Sequence, residues 1–598
     1  MKKRSMKQIG VSLVVGGVAV AVVMLLLPGV ANPSAAAPLR VPTGSCGEVS
    51  CTYYLPLVTV PSLPPLFEVT QGVQQPDNSV MLVAGRPTYV RLTLTSTTAY
   101  AGVSAWLYGS RGGVDLPGSP IAALNNPRTL QPTVNRAVLN DTFNFALPAS
   151  WASGSVSLWA TAGNGAGYSY ASSAAQFQFA ATDPMNVTVI PIAYTCTNGG
   201  GTRTPTPPYN YLVDYTFRTY PVPYIIPAVG ANLSYSGPCM GGVPNPAFGD
   251  WVNLLNGVTS RWVAAGRPDN YYYGLLDVYC DHGCISGLGW VGGYKAAVGF
   301  SGIGPSHYAA SETHAHEVGH NHGREHSPGC EADDPDPAYP YVSGGKALIG
   351  NAAHPNYGFD INSRAIYPYS SYYDIMSYCS PEWVSDWTYE ALWAYDATYR
   401  ASLPEPLGER SLLIAGQIGA EGVVFRPAYL LETSAYPPQA GDYTVELLDG
   451  RGRVIAAYPF DPLTAVVDLY PPAPGPEYGA FLLSLPPVDG VEAVRVRQDN
   501  AVLGLLQPGS RPPVLNAESV RLQGDALHWQ ASDPDGDVLH YAVRVSADGG
   551  ATWELVAIDL ATPSLALAAA QEGGVDLLVE IVASDGLHTT TLRTGGSW

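Results

Sequence analysis

The hydrophobic rhythm of the chain changes twice. From 66 to about 181 it runs in short stretches that alternate apolar and polar residues, such as Thr88-Tyr-Val-Arg-Leu-Thr-Leu-Thr95 and Val156-Ser-Leu-Trp-Ala-Thr161, separated by Gly, Pro and Asn turns. Period-two alternation turns one face of each stretch inward, so 62–182 is predicted as an immunoglobulin-like β-sandwich. Near Asp183-Pro184 the rhythm shifts. A strand-like run over 185–194 and a Gly/Thr/Pro-rich loop lead to helical spacing over 248–265, with Trp251, Leu254, Leu255, Val258 and Trp262 on one face. Strands are predicted at 271–279 and 294–300, and helices at 309–321 and 385–403. Strands mixed with a few helices make 183–404 an α/β or α+β unit. Alternation then returns, giving a β domain over 405–509 and another over 510–598. The fold class expected is therefore multidomain: an α/β (α+β) unit flanked by all-β sandwiches.

The first 31 residues have a different character. Lys2, Lys3, Arg4 and Lys7 precede an apolar run over 9–27, which Pro28 and small residues close. This is the pattern of a signal peptide; the run is also just long enough for an uncleaved signal anchor. A stalk rich in Pro, Ala and Ser follows over 32–61. The expected location is secreted, or held at the outer face of a membrane by that segment alone. Eight cysteines suit an oxidising compartment. A four-cysteine metal site needs closer pairs than Cys280 and Cys284 provide, so disulfides are expected, with connectivity open.

Composition narrows the partners. Net charge is −20, and without the first 31 residues 25 bases face 49 acids. Such a surface repels nucleic acid and anionic membrane, and both are set aside as partners. Abundant Gly (64), Pro (53) and Tyr (38) argue for turn-rich β structure and against a helical bundle. Oligomeric state cannot be read.

The chemistry concentrates in residues 316–326, His-Glu-Val-Gly-His-Asn-His-Gly-Arg-Glu-His. On a helix, His316 and His320 share a face and can present two imidazoles to one ion. Glu317 lies beside the first and can serve as general base towards a water. Gly323 can take the left-handed conformation that ends a helix, letting the chain fold back to deliver His326. Three neutral ligands leave zinc its double charge and an open position, which is a catalytic rather than a structural arrangement. His314 and His322 are expected at the solvent or behind the ligands.

At this point the sequence resembles the metzincin clan of zinc endopeptidases, whose motif is HExxHxxGxxH. Asp374-Ile-Met-Ser-Tyr378 is similar to the clan's Met-turn, which implies Met376 beneath the ligands and Tyr378 beside the metal, as in astacin-like and serralysin-like members. Gly287-Leu-Gly-Trp-Val-Gly-Gly293 is similar to a stretch of reprolysin-like members, and by that likeness lies near the edge strand along which substrate extends. The similarity covers about 184–404. Ser327 stands where reprolysin-like enzymes carry Asp, so the clan is assigned and the family left open. Cys330 and Cys379 bracket the loop from the third ligand to just past the Met-turn, and a disulfide between them is expected to tether the lower half of the site. The last β unit resembles fibronectin type III modules. Its Asp533-Pro-Asp-Gly-Asp537 turn and the acidic loop 331–336 are candidate structural calcium (Ca2+) sites, against the plainer reading of tight turns. No segment matches the matrix metalloprotease cysteine switch, a Cys46–Cys51 disulfide is expected rather than a Cys46 thiolate on the zinc, and 62–182 reads as either propeptide or binding module.

The resemblance implies a secreted zinc (Zn2+) endopeptidase acting on an extended protein or glycoprotein substrate, with specificity set by a pocket walled by 380–383. Two alternatives stand beside it: a narrow peptidase for mucin-type glycoproteins, and a surface adhesin with an inert protease fold. An inert relative is expected to have lost Glu317 or a ligand, and this chain keeps all four.

Overall fold

The computed structural model describes residues 67–196, 201–237, 248–277, 284–302, 308–332, 335–402, 405–470, 478–524, 526–566 and 576–597. The leader, the stalk and Cys46/Cys51 lie outside them. Strand predominates over helix throughout. Among the described residues no helix is long and apolar enough to cross a membrane.

In the N-terminal unit, Phe67–Thr70, Tyr89–Leu92 and Phe143–Ala146 form one antiparallel sheet. Ser104–Arg111, Gly154–Gly163 and Ala175–Ala180 form the centre of a second. Strict in–out alternation along Gly154–Gly163 buries Val156, Leu158, Ala160 and Ala162 with Trp151 in a core shared by both sheets. This unit is fastened to the middle of the chain. Val73–Gln74 pairs with Tyr357–Phe359, and the buried Arg86 guanidinium donates to the carbonyls of Val222 (2.8 Å) and Arg218 (2.9 Å).

The middle unit is built on Met185–Cys196. Ile225–Val229 and Leu233–Gly237 pair with it on one side and Asn270–Leu276 on the other, all parallel. Ala296–Phe300 adds parallel to Asn270–Leu276, and Cys284–Trp290 adds antiparallel to Ala296–Phe300. Helices cover both faces. Gly274 looks onto Val258 of the helix Phe248–Ala264, while Gly299 looks onto Thr313 of the helix Tyr308–Asn321. The five apolar residues expected on one face of the first helix are all fully buried. A short helix, Asp214–Thr219, and a last one, Asp386–Ser402, close the unit.

Downstream, the strands do not separate at 405 or 510. Leu463–Tyr470, from the third unit, pairs antiparallel with Cys284–Trp290, and Ser234 bridges Ala557 of the fourth. One sheet therefore runs through three units. Trp262, Tyr429, Leu482, Ala542 and Val582 share a core at their junction. The apolar faces of these strands were legible one by one; their joining depends on contacts far apart in sequence.

Candidate metal centre

Residues 314–321 of the helix Tyr308–Asn321 are all buried, and the helix lies between the sheet and Asp214–Thr219. It can lie so close to the sheet because the facing strand carries glycine. A Cβ on Gly287 would collide with the Glu317 carboxylate, and one on Gly289 would reach Glu317 and His320. Neither glycine was singled out from sequence for this role.

The helix ends as expected. Gly323 has φ 69°; its N–H donates to His320 O (2.7 Å), and the Arg324 N–H donates to Gly319 O (3.1 Å). These two bonds form a Schellman turn. It reverses the chain and brings His326 to the other two histidines. Ligand atoms of His316, His320 and His326 all lie within 4.8 Å of one another, and the three side chains are buried. Each of the first two rings is oriented from behind. His316 Nδ1 lies 2.8 Å from Ile375 O, and His320 Nδ1 lies 2.6 Å from Arg324 O. A carbonyl only accepts, so Nδ1 carries the proton and Nε2 keeps the lone pair for a metal. Three neutral imidazoles suit zinc: about 2.1 Å bonds in a tetrahedron need nitrogens about 3.4 Å apart, and these lie within 4.8 Å of one another. Glu317 is completely buried on the same helix.

Met376 packs under this helix, 1% exposed and against Gly319. Its N–H donates to Asp374 Oδ1 (3.0 Å), and its carbonyl accepts the Ser327 N–H (2.7 Å). Asp374 also accepts from Ser327 Oγ (3.0 Å) and, through its other oxygen, from the N–H (3.1 Å) and hydroxyl (2.5 Å) of Ser385. One buried carboxylate thus ties the Met376 turn to the residue after the third histidine and to the start of the last helix. The polar role of Asp374 was not foreseen; its buried position among donors is visible only in the fold. The Tyr378 ring stands 4.6 Å from that of His326 and 6.0 Å from that of His316, centroid to centroid. Cys330 and Cys379 form the expected disulfide, and Cys196 is also disulfide-bonded.

Two expectations are narrowed and two need correcting. His314 is not at the solvent: its Nδ1 is 2.6 Å from Thr216 Oγ1, and burial pushes its pKa down to about 3. His322 is buried too, with Nε2 2.9 Å from the Tyr271 hydroxyl. Both follow from burial of the whole stretch 314–322. Trp383 is buried, and its indole N–H donates to Gly72 O (2.8 Å), so of 380–383 only 380–382 are left to wall a pocket. Cys284–Trp290 is not a free edge, because Leu463–Tyr470 lies along it.

Of the two calcium expectations, only the one at 533–537 meets converging carboxylates. Part of 331–336 lies outside the described residues. Carboxylate oxygens of Asp533, Asp537 and Asp585 converge within 4.8 Å. However, Asp537 accepts the Gly509 N–H, and Asp585 accepts from Leu587, His588 N and the His588 ring.

No family model and no curated protein matches the chain. Among solved structures, the chain is similar to the FN1–FN3 domains of chicken CNTN1, at 12% identity over 32% of this chain and 62% of that one, with TM-score 0.13. It is also similar to a two-domain fibronectin type III segment of chicken tenascin, at 11% identity over 33% and 95%, with TM-score 0.12. Likenesses at this level say nothing of the chemistry at the three histidines.

Proposed function

We propose that this chain is a zinc-dependent endopeptidase of metzincin type, acting outside the cell on extended segments of proteins or glycoproteins. The observation that carries the proposal is the convergence of His316, His320 and His326 within 4.8 Å, with Glu317 buried on the same helix. The mixed sheet with helices on both faces and the Met376 turn support it. The basic-then-apolar leader and the disulfides support the extracellular setting.

In this reading the three imidazoles would hold one zinc ion, which when bound would supply Lewis-acid polarisation of a carbonyl and a lowered water pKa of about 7. Glu317 takes the proton of the attacking water and returns it to the departing amine. Tyr378, beside two of the ligands, donates its hydroxyl hydrogen bond to the oxygen on which negative charge develops. Ile375 O and Arg324 O keep two imidazoles in the ligating tautomer. Met376 and Gly323 act by position alone.

The test is casein hydrolysis by the full chain together with its zinc content. About one zinc per chain, activity abolished by chelator, and recovery on adding zinc are expected. Cleavage of mucin-type glycoproteins with casein untouched would narrow the substrate class. A zinc-loaded chain that cuts no protein would leave the adhesin reading.

A further inference from the structure

The strand beside the general base is the natural place for a substrate backbone. Gly287 and Gly289 press against Glu317, and Gly292 N–H donates to His320 O (2.8 Å), so Cys284–Trp290 runs across the base and the second ligand. A peptide with its carbonyl at the three histidines and its attacking water at Glu317 lies alongside this strand. Sheet edges take extended peptides by main-chain pairing.

That edge is occupied by the chain itself. Gly287 pairs with Asp468, Leu288 with Val467, Gly289 with Val466 and Trp290 with Ala465. Val291 N–H donates to Thr464 O (3.2 Å). Hydrogen-bonding direction alternates along an antiparallel ladder. Gly287, Gly289 and Val291 therefore direct their N–H and C=O groups at the strand Leu463–Tyr470, while Leu288, opposite Val298, faces the interior of the sheet.

We infer that Leu463–Tyr470 is a built-in occupant of the substrate edge, so that the third unit holds the protease latent and cleavage requires this strand to peel away. The inference rests on the hydrolytic reading above and adds its regulation: the full chain cleaves slowly, through transient release of this strand, and faster when the strand is freed. The strand is also lightly held on its far side. Among the described residues its pairing there is confined to its start, where Leu463, Thr464 and Ala465 meet Tyr478–Leu485.

The test uses the full zinc-loaded chain. Val466→Pro removes an N–H directed at Gly289, and Thr464→Pro, at the exposed start of the strand, is the milder second variant. Folding is checked by circular dichroism, and release by faster hydrogen exchange of the 284–291 amides. Either folded variant is expected to raise kcat/KM on unfolded casein at least about tenfold, the effect of one or two lost rungs. A synthetic peptide of residues 463–470 should inhibit the variant competitively, raising KM at constant kcat. A variant that is folded and released but cleaves no faster than a measurable wild-type rate overturns the latency and leaves the protease reading standing. No hydrolysis by wild type or either variant, with one zinc bound to each, removes both.

Discussion

Gly319→Ala sets two known effects against each other inside the candidate site. In an ordinary helix, replacing Gly by Ala stabilises by up to about 1 kcal/mol. Here a Cβ at 319 would stand 2.5 Å from Met376 Sδ and 3.2 Å from its Cε, where carbon contacts settle near ~3.5–4.0 Å. Met376 must therefore move by about 1 Å, and its backbone cannot easily follow, being held by Asp374 and Ser327. Overpacking of this kind costs about 1–3 kcal/mol, so the net effect should be a loss of roughly 1 kcal/mol. The displacement reaches the three histidines as well, because Ile375 O orients His316 and Ser327 follows His326. Zinc affinity is expected to fall about tenfold, the lower range for disturbing groups that orient ligands. Met376→Ala alone should cost about 2–5 kcal/mol. In the double variant the new methyl enters the vacated space, so the two losses should fall short of additivity by about 1–2 kcal/mol. Chelator competition measures the affinity, and hydrogen exchange of the 308–321 amides reports local stability without the other units. Slower exchange with unchanged affinity in Gly319→Ala would refute the idea that Met376 braces this helix.

Three further expectations follow from single contacts. Replacing Cys330 and Cys379 together by Ala opens a loop of 49 residues, and should cost about 2–4 kcal/mol in urea unfolding; coincident midpoints would show the tether to be idle. His588 bonds to Asp585 (3.0 Å) and lies 3.6 Å from Glu492, which together raise its pKa above 6.5 in the fold. Its charged form therefore stabilises the fold below pH 6.5, and that contribution fades as pH rises through the folded pKa. His588→Gln should lower Tm at pH 5.5 and leave it unchanged at pH 9; an equal drop at both would contradict the charge argument. Tyr378→Phe should reduce kcat about 100-fold with zinc content and KM preserved, whereas loss of zinc would make Tyr378 a packing residue.

Much of this centre was legible because its information is local. Helical spacing over 248–265 and the histidines at i and i+4 follow from 3.6 residues per turn, and Gly323 is the residue type that ends such a helix. The observed helices, Phe248–Ala264 and Tyr308–Asn321, begin and end within a residue of those readings. Non-local features escaped. Gly287 and Gly289 permit close approach to Glu317, yet a glycine shows no partner in a sequence. The helix Asp214–Thr219 lay hidden in a loop-like stretch because it is only six residues long and buries Arg218 among polar neighbours. For His314 and His322 the choice between solvent and a place behind the ligands stayed open because their covers, Thr216 and Tyr271, lie some 50 to 100 residues away. The pairing of Leu463–Tyr470 with Cys284–Trp290 is of the same kind: each run reads as a strand, and nothing in either names the other.

The central claim is that Glu317 does chemistry at a metal held by His316, His320 and His326. Its most direct test is Glu317→Ala in the zinc-loaded full chain, in wild-type and Val466→Pro backgrounds, with casein cleavage and zinc content measured on the same samples. The account predicts one zinc per chain in every sample and cleavage reduced at least about 100-fold by the loss of Glu317. Cleavage that persists without Glu317, or a chain that loses its zinc with Glu317, would contradict it.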